Sequence, residues 1–121
     1  MSFKDKVSDK INNLAESKSQ GKCAQHVRQA VQEAKEIKVE PTGIVSAKDY
    51  GPWLTKNGYK STNKSYSEAS VGSIAVLDSS DKHKDGHIQV LNNENTWVSD
   101  FKQKSFFPYA DGSKPNYVIY E

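Results

Sequence analysis

An α+β fold, with helices first and a small antiparallel sheet second, is predicted for this chain by three observations. Apolar residues near the N-terminus recur at helical spacing: Phe3, Val7, Ile11 and Leu14 lie on one face, and Cys23, Val27, Ala30, Val31 and Ala34 on another. The second half changes to short apolar and β-branched runs at residues 73–77, 87–91, 96–101 and 117–120. Charged or Asn-rich turns divide the first three of those runs, which favours hairpins.

Taken in order, Ser2 is a suitable N-cap for the first helix, and residues 17–22 break its pattern with Gly21 as the hinge. The second helix starts at Cys23, which puts the cysteine in its first turn. Pro41 and Gly43 end the connection that follows. Ser46 is placed to cap a third, short helix through Lys48, Asp49, Tyr50, Trp53 and Leu54, with Pro52 tolerated only in its first turns, and Asn57-Gly58 stops it. Residues 60–70 are polar and read as a loop. Strand 73–77, the charged turn 78–86, strand 87–91, a tight turn at Asn92-Asn93-Glu94-Asn95 and the returning strand 96–101 follow, and 117–120 closes the sheet.

Composition narrows the functional classes. A length of 121 residues predicts one domain, 1–121, with no room for a second. Seventeen basic against 15 acidic residues give a net charge of +2 and no basic stripe, which argues against nucleic acid as a partner. The single cysteine, Cys23, excludes an internal disulfide. Residues 1–6 are charged and lack the apolar core of a signal peptide, and no apolar run approaches membrane length. The expectation is a monomer made in the cytoplasm, without membrane insertion, that leaves it by another route if it works outside.

The candidate chemistry starts at Cys23. A thiol attacks as thiolate, and a helix N-terminus together with a nearby imidazolium favours that anion. Backbone N–H groups at the same helix start suit an oxyanion hole. His87 opens a strand directly after Gly86, where it can lean over a helix packed on the sheet, take the thiol proton and return it to a leaving amine. A third group should hold the ring. With Asn93-Glu94 as the hairpin tip, Leu91 pairs with Thr96, Gln89 with Val98 and His87 with Asp100, so Asp100 is the expected third residue. A register slip of one residue puts Ser99 there instead. The reaction calls for no cofactor.

Plainer readings stand beside each of these. A lone helical cysteine is ordinarily a small buried hydrophobe, and Asp100 can be a solvated charge at a strand end. Trp97 and Phe101 read as core rather than as a substrate platform, and Tyr50 and Trp53 as core more than as cleft lining. The spacing Cys23-x-x-His26 with His83-x-x-x-His87 mimics a zinc site, although structural zinc sites usually carry more than one cysteine.

Several segments resemble the CHAP and NlpC/P60 cysteine amidases. Gly21-Lys22-Cys23-Ala24-Gln25-His26-Val27-Arg28 is similar to their nucleophile segment, in which a cysteine heads a helix. Val71-Gly72-Ser73-Ile74-Ala75-Val76 resembles their "G-D-I-hydrophobic" strand, with Ser73 in place of the usual Asp. Asp85-Gly86-His87-Ile88-Gln89-Val90 resembles their "G-H-hydrophobic" histidine strand, and residues 97–103 look like a segment of small CHAP-like amidases. The resemblance covers residues 20–121 in the family's order of cysteine helix, histidine strand and polar third residue. It implies a papain-like fold and cleavage of an amide bond in peptidoglycan peptides. A short version without a signal peptide also looks similar to type VI secretion amidase effectors and to phage lysis enzymes. That implies action in the periplasm or cell wall after export by a non-Sec route, and an immunity protein as partner. Family members often carry Glu or Asn as the third residue, where this sequence has Asp100. Two other readings stay open: an inactive cell-wall or protein-binding module on the same scaffold, and a cysteine effector that modifies a host protein.

Overall fold

The computed structural model describes residues 2–16 and 22–121, so the hinge expected at Gly21 lies outside the described residues. Helix α1 spans Phe3–Leu14 and α2 spans Cys23–Ala34. The hydroxyl of Ser2 accepts from the Asp5 backbone N–H at 3.2 Å. A cap of this kind contributes about 1 kcal/mol. Val7 and Ile11 of α1 and Val27, Ala30 and Val31 of α2 are fully buried, as their spacing predicts, and the two helices pack on each other.

The third helical segment is split. A 3-10 turn at Ala47–Asp49 precedes α3, Gly51–Lys56, which carries Pro52 in its first turn. Ser46 makes no side-chain cap; its hydroxyl donates to Asp85 Oδ1 at 2.8 Å and ties this segment to the turn before His87.

Five strands follow: β1 Ser61–Thr62, β2 Ile74–Leu77, β3 His87–Leu91, β4 Trp97–Val98 and β5 Tyr117–Tyr120. They form one antiparallel sheet in the order β1-β5-β2-β3-β4. The expected loop 60–70 contains β1, which pairs Ser61 with Tyr120, and a 3-10 turn at Tyr66–Glu68. A short edge strand held by backbone pairing needs no apolar pattern, so local composition hid it.

Alternation along β2 and β3 gives the sheet two covered faces. Ile74, Val76, Ile88 and Val90 face the helices; Ala75, Leu77 and Leu91 join Trp97, Phe106 and Ile119 on the other face. Trp97 is core, as expected, and packs edge-on to Phe106 with ring centroids 5.1 Å apart. No helix among the described residues is long and apolar enough to cross a membrane.

The β3–β4 hairpin differs from the expected register. Val90 pairs with Val98 and Leu91 with Trp97, one residue off the predicted pairing. The loop has three residues rather than two: Asn95 takes positive φ (59°), its N–H donates to the Asn92 carbonyl, and the Asn92 N–H donates to the Thr96 carbonyl at 2.9 Å. Strand β4 also stops at Val98. The Ser99 N–H donates to the Phe101 carbonyl, Val98 bridges Lys102, and the Gln103 N–H donates to the Trp97 carbonyl at 2.9 Å, so the chain doubles back. The predicted pairing of His87 with Asp100 is therefore absent, and the Ser99 alternative rests on a slip in the opposite direction.

Candidate active site

Cys23 is the first residue of α2, and no side chain of its own N-cap residue, Lys22, caps the helix. The cap comes from across the molecule: Asp100 Oδ2 accepts the Lys22 N–H at 2.9 Å. Asp100 is almost fully buried, and Ser99 Oγ donates to its other oxygen at 3.3 Å.

The Cys23 thiol lies against the backbone N–H of Ile88, the residue after His87. The truncation of β4 accounts for that open donor. Leu91 donates to Ser73 on the β2 side and Asn92 to Thr96 on the β4 side. Alternation then turns the Ile88 N–H toward the β4 side, beyond the point where β4 has ended. Burial raises the pKa of the Cys23 thiol; the Ile88 N–H opposes this, and the Asp100 carboxylate raises it further. Desolvation and a neighbouring anion outweigh the N–H donors, so the surroundings work against the thiolate that a helix start alone favours.

Gly86 sets the entry of His87. Its φ is +71°, and a Cβ there would lie 2.4 Å from the Leu77 carbonyl oxygen and 2.7 Å from Lys48 Cβ. Only glycine fits both the turn and the approach of the 3-10 segment. From this position His87 Nε2 reaches Gln103 Oε1 at 2.8 Å. Burial lowers the His87 pKa, while the Gln103 bond and the Asp100 carboxylate push it back up. Asp100 thus acts on both Cys23 and His87 electrostatically, and the ring-holding hydrogen bond belongs to Gln103.

Gln103 extends into a chain of amides. Its Nε2 donates to Gln89 Oε1 at 2.8 Å and to the Ser105 carbonyl at 3.1 Å, and Gln89 Nε2 donates to the Phe106 carbonyl at 3.0 Å. A backbone carbonyl only accepts, so Ser105 and Phe106 fix which end of each amide points where. Gln103 must present oxygen to the ring, His87 must carry its proton on Nε2, and Nδ1 keeps the lone pair. Sequence reasoning missed Gln103 and Gln89. The available signal was a glutamine inside an otherwise apolar strand, since a buried amide requires a partner.

Tyr109 also belongs here. Its ring lies edge-on to His87 at 6.3 Å and stacks on His83 at 4.1 Å, while His83 Nε2 is 3.6 Å from Asp111 Oδ2. The zinc-like spacing does not assemble: His26 is buried with Nε2 3.8 Å from Glu16, and among the described residues no three His, Cys, Asp or Glu side chains converge as metal ligands.

A cleft of ≈ 480 Å³ opens beside the thiol, lined in part by Cys23, Arg28, Thr42, Tyr50 and Asp85. Tyr50 lines this cleft and is also core, with its hydroxyl 3.1 Å from Thr42 Oγ1; Trp53 packs against the core.

No family model matches the chain, and no curated protein sequence does. Two solved structures are similar over nearly its whole length, both of the type VI effector–immunity complex Tae3–Tai3 from Ralstonia pickettii. The native complex gives 30% identity and a TM-score of 0.82, covering 98% of this chain and 97% of that chain. The selenomethionine form gives 32% identity and a TM-score of 0.79, covering 95% and 98%. With identity at this level across both full lengths, the chain belongs to the Tae3 family of type VI effectors.

Proposed function

We propose that this effector is a cysteine amidase with a papain-like fold of the CHAP and NlpC/P60 kind, formed by residues 1–121 as one domain, and that it cleaves an amide bond in peptidoglycan peptides. The observation that carries the reading is the meeting at one strand end of two groups. One is a thiol that heads a helix and touches the Ile88 N–H; the other is His87, with Nδ1 left basic by Gln103.

In this reading Cys23 is the nucleophile and His87 the base. The Cys23 sulfur bonds to the substrate carbonyl carbon as its proton passes to His87 Nδ1. The N–H groups of Cys23 and Ala24 at the helix start suit the developing oxyanion. The tetrahedral intermediate collapses, the C–N bond breaks, and the amine leaves with the proton from His87. Water, deprotonated by the same ring, then hydrolyses the thioester, releases a carboxylate and restores the thiol. Burial disfavours the thiolate and the imidazolium at rest, and Asp100 favours the transient imidazolium while it disfavours the thiolate.

Membership in a type VI effector family supports delivery into other bacterial cells by a non-Sec route, with the target in the periplasm or wall. The relatives are solved with an immunity protein, Tai3. By analogy, a small immunity protein that covers the Cys23 cleft is the expected partner.

The test is digestion of purified muropeptides, with products identified by mass. New peptide termini that appear with the wild type and not with Cys23→Ala are expected. Muropeptides left intact by the wild type as well as by Cys23→Ala would instead leave an inactive binding module. Expression in the bacterial cytoplasm should be harmless, and expression with a signal peptide should cause lysis. Equal toxicity in both compartments would point to a cytoplasmic target.

A further inference from the structure

Arg28 is the one guanidinium in the cleft beside Cys23, and its surroundings hold it ready without neutralising it. It lies half-buried on α2. One guanidinium nitrogen, Nη1, donates to the Glu40 carbonyl and to Gln32 Oε1, the latter at 3.5 Å. The buried Gln32 amide in turn clasps the backbone of Glu40 from both sides. Its Nε2 donates to the Glu40 carbonyl at 3.1 Å, and its Oε1 accepts the Glu40 N–H at 3.3 Å. The strap that closes the cleft, with Pro41, Thr42 and Gly43 in its lining, is thus fastened to α2 at the residue that orients Arg28.

No carboxylate pairs with Arg28 among the described residues. The Glu40 side chain pairs with Lys38 at 3.6 Å on the surface, and Asp85, the acidic residue of the cleft lining, accepts from Ser46. Lys22 adds a second positive charge to the same lining. A guanidinium anchored through one nitrogen keeps the remaining fork of N–H donors for an incoming group, and that fork matches a carboxylate in two parallel hydrogen bonds.

We propose that Arg28 is the specificity-determining residue of the Cys23 cleft and reads a free carboxylate on the peptide beside the scissile amide. The inference rests on the amidase reading for the identity of the bond and deepens it by naming the substrate class. The substrate is an acidic peptide with an unmodified carboxylate flanking the bond, and its amidated counterpart is rejected. Losing one charged pair of this kind costs about 10- to 100-fold.

The experiment compares two cross-linked peptidoglycan peptides, identical except that the carboxylate flanking the scissile bond is free in one and amidated in the other. The free acid should be cleaved with kcat/KM about 10- to 100-fold higher. Arg28→Gln should bring the ratio of the two peptides close to one, and Arg28→Lys, which keeps the charge without the fork, should leave it in between. Calorimetric binding of both peptides to Cys23→Ala, with and without Arg28→Gln, reads the same preference without chemistry. A wild-type ratio near one, or a preference that survives Arg28→Gln, overturns the proposal. Absence of cleavage with the binding preference intact would remove the amidase reading and leave the carboxylate reading standing.

Discussion

Gln103 Oε1 lies 2.8 Å from His87 Nε2, and the same side chain's amide nitrogen is committed to the Ser105 carbonyl at 3.1 Å. A residue sixteen positions downstream of the histidine therefore decides which ring nitrogen is basic. Gln103→Leu should lower kcat by about 10- to 10⁴-fold, the range for losing a ring-orienting partner, with a smaller change in KM. The Gln103 bond raises the His87 pKa, so its loss should also move the acid limb of the kcat/KM profile to lower pH. Gln103→Glu keeps an acceptor and adds charge, and should move that limb up. An acid limb unmoved in both variants would remove Gln103 from the site.

Cys23→Ala and His87→Ala should each abolish muropeptide hydrolysis and leave the far-UV circular dichroism unchanged. The double variant should lose no more than either single one, because the pair acts as a unit. More than a few per cent of residual activity in either variant, measured by product mass, would sink the assignment.

Asp100 raises the pKa of both Cys23 and His87. Asp100→Asn should therefore lower the thiol pKa and speed alkylation by iodoacetamide at neutral pH. Hydrolysis should fall at the same time, because the imidazolium loses its counter-charge. A thiol that becomes slower to alkylate would mean that the carboxylate does not oppose the thiolate. Ser99→Ala removes one hydrogen bond to Asp100 and should change hydrolysis little.

Glu121 gathers the loop before β2: its carboxylate accepts from Lys64 Nζ at 2.6 Å, the Ser70 N–H at 3.1 Å and the Ser70 and Ser73 hydroxyls at 3.0 Å. These partners, Lys64 first, hold its pKa at about 2, against an ordinary 4.5. The folded value is depressed, so the carboxylate stabilises the fold fully above 4.5, and that contribution fades as pH falls toward 2. Glu121→Gln should lower the Tm at pH 7, and the gap to wild type should close in strong acid. A gap that stays constant from pH 7 to pH 2 would separate Glu121 from this linkage.

Features set by neighbours along the chain are legible in the order of residues. The buried face of α1, the start of α2 at Cys23, the span of β3 from His87 and the α+β order all follow from 3.6- and 2-residue periodicities that act over a few residues. Glycine before His87 was legible for the same reason. Tertiary structure alone decided the partners across space. The hairpin register turned on Asn95 adopting a left-handed backbone, a conformation asparagine tolerates, which adds one loop residue and shifts every cross-strand pair. The reversal after Val98 then withdrew Asp100 from strand pairing and made it a cap on α2. It also freed the Ile88 N–H for the thiol and carried Gln103 back to His87. The thiol pKa likewise followed from the third dimension: a helix N-terminus favours the thiolate locally, but burial and the Asp100 charge come from elements distant in sequence, and their sum prevails.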